Sequence, residues 1–395
     1  MPSSPSRTLS AIASHLRGAG TDGSKVCSAP AAASGSAPTP FFAAGIGLGC
    51  GALGRTDVDA LSSVAGAWEA GTRYYDTAPW YGKGLSEQRL GLGLHNYPRE
   101  EYHVTTKVGR YLRPVGREGA VDANMGPNTL RMNVEFSYSG DSFRRQHADS
   151  LQRLGCGYID ALVIHDMEQS VQPEGNPHGL SLEQHKAALF GTHPRSSDAG
   201  GFAELQQMRA EGVIDAFGAG INVDSGSTQE RQDFNREYCA ELITHDRANP
   251  IDFLNIAGGY NLLCQDAWND GTLALCEEVG VSVVICWPFA SGMLAGGDPA
   301  AEGAKPRYIG GPASPEMIQT ASRMNAICES HGVSLAAAAL QFPLAHPNVT
   351  TTVPGALNAQ EAKECGAWFK EEIPAAVWEE FKSEGLLPAD VPTPA

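Results

Sequence analysis

The chain has 395 residues, 42% of them hydrophobic, and carries 45 acidic against 28 basic side chains for a formal net charge of −17. That apolar content supports a large core and excludes global disorder. The acidic balance excludes nucleic acid or an anionic membrane as the main partner, because both need a basic surface. No apolar run is long enough to cross a bilayer, so a soluble protein with no membrane contact is expected. Nine cysteines lie scattered between Cys27 and Cys365 without a Cys-x-x-Cys pair. That spacing favours reduced thiols over a disulfide framework or a metal site.

In chain order, residues 1–40 stand apart. They hold Arg7, Arg17 and Lys25 against the single acid Asp22, in a tract rich in Ser, Ala and Pro. Such a segment is either an organellar transit peptide or a low-complexity extension. Localisation follows accordingly: plastid or mitochondrion in the first case, cytoplasm in the second. Residues 41–395 are expected to form one domain. From Phe41 onward, short β-rich runs alternate with helical segments. Strands are predicted at 44–50, 73–78, 102–108, 159–166, 214–222, 252–258, 281–288 and 348–355. Helices are predicted at 57–70, 86–94, 141–154, 202–211, 229–243, 271–279, 315–331 and 359–370. Several of them end in Gly where the periodicity stops, as in E-A-G, A-E-G, E-V-G and S-H-G.

Eight β–α units with mostly continuous apolar strands imply an α/β fold with a parallel sheet covered by helices. They close most naturally into a (β/α)8 TIM barrel. A doubly wound open sheet is the alternative, but G-I-G-L-G-C-G has glycines at the wrong intervals for a dinucleotide fingerprint. Two long connections, 110–140 and 167–200, follow the third and fourth strands. Both fall on the C-terminal side of the sheet, where they are either substrate loops or solvent-exposed insertions.

Chemistry in a barrel comes from the C-terminal ends of several strands. Those positions hold Asp76, with Tyr81 in the loop behind it, Lys107, and His165 followed by Asp166. Each alone has an ordinary structural explanation: a turn cap, a packing aromatic, a rim charge, a core histidine. Four at matching strand ends do not, because each buried ionisable group needs a partner. Together they form a proton-transfer device. Lys107 favours the Tyr81 phenolate and is expected to lower its pKa, Asp76 pairs with Lys107, and His165 donates to a substrate oxygen. The device handles a carbonyl or alcohol oxygen but supplies no hydride, so a nicotinamide cofactor is implied.

The motifs G-T-R-Y-Y-D-T-A-P-W-Y-G-K-G-L-S-E-Q-R-L-G, T-T-K-V-G-R, Y-I-D-A-L-V-I-H-D and G-V-I-D-A-F-G-A-G-I-N make the chain resemble the aldo-keto reductase family. With the late run A-A-A-A-L-Q-F-P-L-A-H-P-N-V-T-T-T-V-P-G-A, the resemblance covers essentially Phe41 to the C-terminus. It implies that the family's Asp, Tyr, Lys and His tetrad falls on Asp76, Tyr81, Lys107 and His165. S-G-M-L-A-G-G and the C-terminal tail are similar to the branch that includes D-threo-aldose and L-galactose/L-fucose dehydrogenases. Such enzymes oxidise the anomeric carbon of an unphosphorylated aldose to a lactone, usually with NAD⁺. Trp80 would line the substrate pocket.

The resemblance also implies cofactor contacts at Asn222, Ser291, Gly292, Gly355, Ala356, Leu357 and Glu361. Here the chain departs from the family pattern. Ile221 replaces the Ser beside Asn222, the sixth-strand amide falls at Ala257, the nicotinamide-stacking aromatic at Cys286, and the adenine-side Asn at Cys365. Where NADPH-specific members place basic groups, this chain has Leu357 and Glu361, with Lys363 the one nearby cation. NAD is therefore expected over NADP. Rival readings are an aldehyde or pyridoxal oxidoreductase of the same fold, and a non-catalytic cofactor-binding subunit of a potassium channel. Oligomeric state stays open.

Overall fold

The computed structural model describes residues 45–55, 57–117, 130–170, 175–191, 199–222, 229–308 and 311–395. The 1–40 segment, residues 118–129 of the first long connection, and residues 171–174 and 192–198 of the second lie outside the described residues.

Seven strands, Tyr74–Asp76, His103–Val108, Ala161–His165, Ala216–Asn222, Phe253–Ala257, Ser282–Cys286 and Val349–Val353, pair in parallel and in chain order. The first strand closes the ring. Instead of the single run expected over 44–50, it is two short pieces, Gly45–Ile46 and Leu48–Gly49, interrupted at Gly47. The first piece pairs with Val349–Val353 and the second with Tyr74–Asp76, so one segment joins both ends of the sheet. Gly47 allows that. A Cβ there would lie 2.5 Å from the Tyr74 ring.

The lumen follows from the period-2 alternation of strand side chains. Tyr74, Ala161, Val163, Ala216, Phe253, Val284 and Val353 form a small apolar plug separate from the main core. One step further along the same inward face, toward the C-terminal ends, come Asp76, Lys107, His165 and Asn255. The lumen is thus apolar below and polar above. The larger core lies outside, between sheet and helices, and gathers the outward residues Leu162, Ile164, Phe217, Leu254, Val283 and Ile285.

The predicted outer helices are present, among them Ala60–Ala70, Leu85–Leu94, Gly140–Leu154 and Ala359–Trp368. Gly71, Gly155 and Gly280 end helices in the left-handed conformation that glycine tolerates. Glu87, fully buried, ties the helix behind Tyr81 to its neighbours. It accepts from Thr106 Oγ1 at 2.8 Å and from Arg153 Nε at 2.5 Å. Among the described residues no helix is long and apolar enough to cross a membrane.

Both long connections contain regular structure that the periodicity does not reveal. The first holds an antiparallel hairpin, Arg110–Pro114 with Met132–Phe136. Its strands mix charged with apolar residues and lack a clean alternation. The second holds a helix, Leu182–Phe190, opened by a capping box between Ser181 and Gln184.

Close helix contact makes one glycine critical. A Cβ on Gly91 would lie 1.9 Å from the Leu154 carbonyl oxygen. Gly91→Ala should therefore lower unfolding free energy by about 1–3 kcal/mol through overpacking. Urea denaturation checks it; an unchanged midpoint would show that the two helices separate without cost.

Candidate active site

The upper layer of the lumen is organised by one ion pair. Lys107 Nζ donates to Asp76 Oδ1 at 2.5 Å and to the Thr77 carbonyl at 2.8 Å. Asp76 Oδ2 accepts from Thr105 Oγ1 at 2.8 Å and from Asn255 Nδ2 at 3.2 Å. Tyr74 OH stands 3.1 Å from Thr105 Oγ1 and donates to it, since the threonine proton is committed to Asp76. Lys107 and Asp76 are both buried, so each needs the other. Burial opposes the Lys107 charge, but Asp76 and Tyr81 outweigh it and hold the ammonium above its ordinary pKa.

Tyr81 reaches this pair from a strained loop. Gly82, Lys83 and Gly84 are consecutive left-handed residues, with φ of 63°, 53° and 98°. The turn Ala52–Gly54 presses against them, and a Cβ on Gly54 would meet the Tyr81 carbonyl carbon at 2.5 Å. Lys107 Nζ sits 5.0 Å from the Tyr81 ring centroid, and the His165 ring lies edge-on at 6.1 Å and 86°. All four predicted tetrad residues therefore converge. The expected direction of the Tyr81 pKa does not hold. Burial raises it, Lys107 only partly opposes this, and the phenol ends above its ordinary value. Sequence spacing reveals the neighbouring cation but not the desolvation.

His165 is buried, and its pKa is pushed down to about 4, chiefly by burial, so the imidazole is neutral near neutrality. Its Nε2 lies 3.2 Å from Asp166 Oδ2, the same oxygen that accepts from Arg110 at 2.9 Å. Arg110 also donates to Gln169 Oε1 at 3.1 Å and stacks on the Trp80 ring at 4.6 Å. Beyond it, Glu168 Oε1 accepts from Asn222 Nδ2 at 3.1 Å. Burial and the nearby Asp166 carboxylate push the Glu168 pKa up to about 8.

The residues expected at a cofactor lie around the rim. The register aligns Asn222 with Ala257, Ala257 with Cys286, and Cys286 with Val353. After Cys286 the backbone turns left-handed at Trp287, Ala290, Ser291 and Gly292, and Ser291 and Gly292 are exposed. After the last strand, Gly355 is exposed and Ala356 is buried. Leu357 N–H donates to Glu361 Oε2 at 2.8 Å, and Asn358 Nδ2 donates to Glu361 Oε1 at 3.1 Å. Lys363 is turned to Glu69, 2.6 Å away.

Residues 45–384 match the profile of the Aldo/keto reductase family. The chain belongs to that family. It is similar to D-threo-aldose 1-dehydrogenase of a Pseudomonas species, at 35% identity over 91% of this chain and 98% of that protein. Similarity to pyridoxal 4-dehydrogenase of Microbacterium luteolum is 33%, over 87% of this chain and 94% of that one. The fold matches the holo form of an aldo-keto reductase from Bacillus halodurans with a TM-score of 0.60 at 22% identity, covering 88% of this chain and 93% of that one. This protein is therefore an oxidoreductase by family.

In this aldo/keto reductase four site neighbours escape a reading by motif. One is an amide on the sixth strand, Asn255, which stands two residues before Ala257 on the same inward face and serves Asp76. Continuing the alternation from Phe253 would find it. Arg110 lies in the quoted T-T-K-V-G-R motif, but its inward course depends on the left-handed Gly109 (φ 109°). Tyr138 OH donates to the His165 carbonyl at 2.9 Å across a sequence gap that no spacing rule covers. Trp287, 42% exposed beside Cys286, brings an aromatic surface to the rim where none was expected at 286.

Replacing Lys107 by Met tests the pair directly. The buried Asp76 would lose its counter-charge, costing about 3–5 kcal/mol of stability. Tyr81 would lose the charge that opposes burial, so the alkaline limb of the pH–rate profile should move upward. An unmoved limb in steady-state kinetics would break the proposed coupling of Lys107 to Tyr81.

Proposed function

We propose that this aldo/keto reductase oxidises an unphosphorylated aldose, of galactose, fucose or arabinose type, at C1 to the lactone, with NAD preferred. The observation that carries the chemistry is the buried Lys107–Asp76 pair lying beneath Tyr81 and His165 at the mouth of the barrel. The sugar class rests on the similarity to D-threo-aldose 1-dehydrogenase.

The donor set suits a nucleotide without a 2′-phosphate. Glu361 presents a carboxylate at the start of helix Ala359–Trp368, and Lys363 is engaged by Glu69. A phosphate there would meet negative charge. Asn222, Ser291, Gly292, Gly355, Ala356, Leu357 and Glu361 would hold the dinucleotide, which when bound accepts the hydride. The chain's own residues manage the proton. Tyr81 removes it from the C1 hydroxyl, Lys107 stabilises the resulting phenolate, and Asp76 keeps Lys107 charged. His165 orients the substrate oxygen, and Trp80 offers its indole to the apolar face of the sugar.

Because burial keeps the Tyr81 phenol protonated, the base form is scarce near neutrality. Oxidation should therefore accelerate toward alkaline pH, whereas reduction of an aldehyde should not. Tyr81→Phe should lower kcat by on the order of 10²–10⁴-fold with the protein still folded.

A screen of NAD⁺ and NADP⁺ reduction across L-galactose, L-fucose, D-arabinose and pyridoxal tests the substrate and cofactor together. The expected result is multiple turnover on a free aldose with higher kcat/KM for NAD⁺. Turnover on pyridoxal alone would transfer the reading to the aldehyde class of the 33%-identical relative. Higher kcat/KM with NADP⁺ would overturn the cofactor preference, and no turnover at all would favour a non-catalytic cofactor-binding role.

A further inference from the structure

Asp166 follows His165 directly, so in a regular strand its side chain would lie on the opposite face of the sheet. The backbone avoids this. At φ 37° and ψ 57° Asp166 is left-handed, a conformation that non-glycine residues adopt uncommonly. It is held there by its N–H on the Gly220 carbonyl at 3.2 Å and by Gln169 N–H on its own carbonyl at 3.0 Å. The reversal carries the carboxylate back to the imidazole. Oδ2 then lies 3.2 Å from His165 Nε2 and accepts from Arg110 at 2.9 Å.

Arg110 is 2% exposed, its guanidinium lying over Trp80 at 4.6 Å and Phe136 at 5.4 Å. A guanidinium so confined cannot lose its charge and cannot swing away. It keeps Asp166 ionised, and an ionised carboxylate only accepts. The imidazole nitrogen that faces it must therefore carry the hydrogen. The other tautomer would set a lone pair against a carboxylate and bury Nδ1–H, an atom with no hydrogen-bond partner among the described residues.

We propose that Asp166, clamped by Arg110, is a positioning residue that puts the single proton of neutral His165 on Nε2 and holds the ring edge-on to Tyr81. The inference rests on the reading of His165 as the group that orients the substrate oxygen. It names what fixes that group's tautomer: the Nε2 hydrogen, shared with Asp166 Oδ2 at 3.2 Å, is the one a substrate oxygen would receive, and Nδ1 could only accept. The charged and titratable groups around His165 are Asp166, Arg110 and Lys107, with Tyr81 at the ring edge.

Asp166→Asn is the suitable probe, because Asn tolerates the left-handed backbone as well as Asp does and keeps the side-chain shape. An Asn can either accept through Oδ1 or donate through Nδ2, so the tautomer is no longer dictated. Long-range ¹H–¹⁵N correlation spectra of histidine-labelled full-length protein, without substrate or cofactor, read the tautomer directly. His165→Gln assigns the signal. Wild type should show Nε2 protonated and Nδ1 bare near neutral pH. Asp166→Asn and Arg110→Met should shift a measurable fraction to Nδ1–H, with matching thermal melts for Asp166→Asn. Their kcat/KM should fall on the order of 10–100-fold, the usual cost of losing a ligand-orienting partner.

A wild-type His165 that is protonated on Nδ1, or on both nitrogens, would overturn the proposal. So would an Asp166→Asn protein with unchanged tautomer, or one with altered tautomer and undiminished kcat/KM. The spectra need no substrate, so failure of the aldose screen beside a confirmed tautomer would fall on the functional reading alone.

Discussion

The rest of the structure depends on placing one cation and one carboxylate inside a barrel. Lys107 and Asp76 sit above an apolar plug, where neither charge would be tolerated alone. Their pairing sets the register of two strands. Asp76 stands opposite Thr105, so Lys107 lies one inward position higher and reaches back across the interface. A slip of one residue would send Lys107 and Thr105 to the outer face and bury Asp76 unpaired. The chemistry and the closure of the barrel thus share one constraint, and Asn255 from the far side of the ring completes it.

The same strand is held on both faces to the segment that carries Tyr81. Inward, Thr105 and Lys107 bind Asp76, which opens the Tyr81 loop. Outward, Thr106 donates to Glu87 on the helix that closes it. Glu87 in turn is locked by Arg153 from the following helix. Between these anchors the loop has little freedom, and the Gly54–Gly82 approach leaves no room for a side chain. Left-handed residues at Lys83, Asp166, Trp287, Ala290 and Ser291 all lie on the C-terminal rim. Strain is concentrated where side chains must be aimed, which is where packed scaffolds usually store it.

This distribution explains what can be read from the chain and what cannot. Alternation and helical period locate all eight strands, and the strand-end rule finds Asp76, Lys107 and His165, because each depends on a local pattern. Tyr81 is legible through its spacing from Asp76. The break at Gly47 is not, since it answers to the ring of Tyr74 across the sheet. Neither is the rise of the Tyr81 pKa, which is a property of enclosure rather than of neighbours in sequence. Arg110, Glu168 and Asn255 act through contacts that span dozens of residues, and the Asp166 carboxylate points inward only because of a backbone reversal that composition does not announce.

Charge offers a last consistency between site and proposed substrate. Around the mouth, Lys107 is matched by Asp76 and Arg110 by Asp166. Among the described residues, neither of these two buried cations is free to hold an anionic group. The chain as a whole carries −17, a field that would repel a phosphorylated sugar and leave a neutral one unaffected. Recognition of such a substrate has to come from hydrogen bonds and from indole faces such as Trp80. That places discrimination between sugars on the orientation of individual donors. An imidazole whose one proton is fixed on Nε2, beside the Asp166 carboxylate, would accept a hydroxyl from a single direction only, whereas one free to exchange tautomers could donate from either edge.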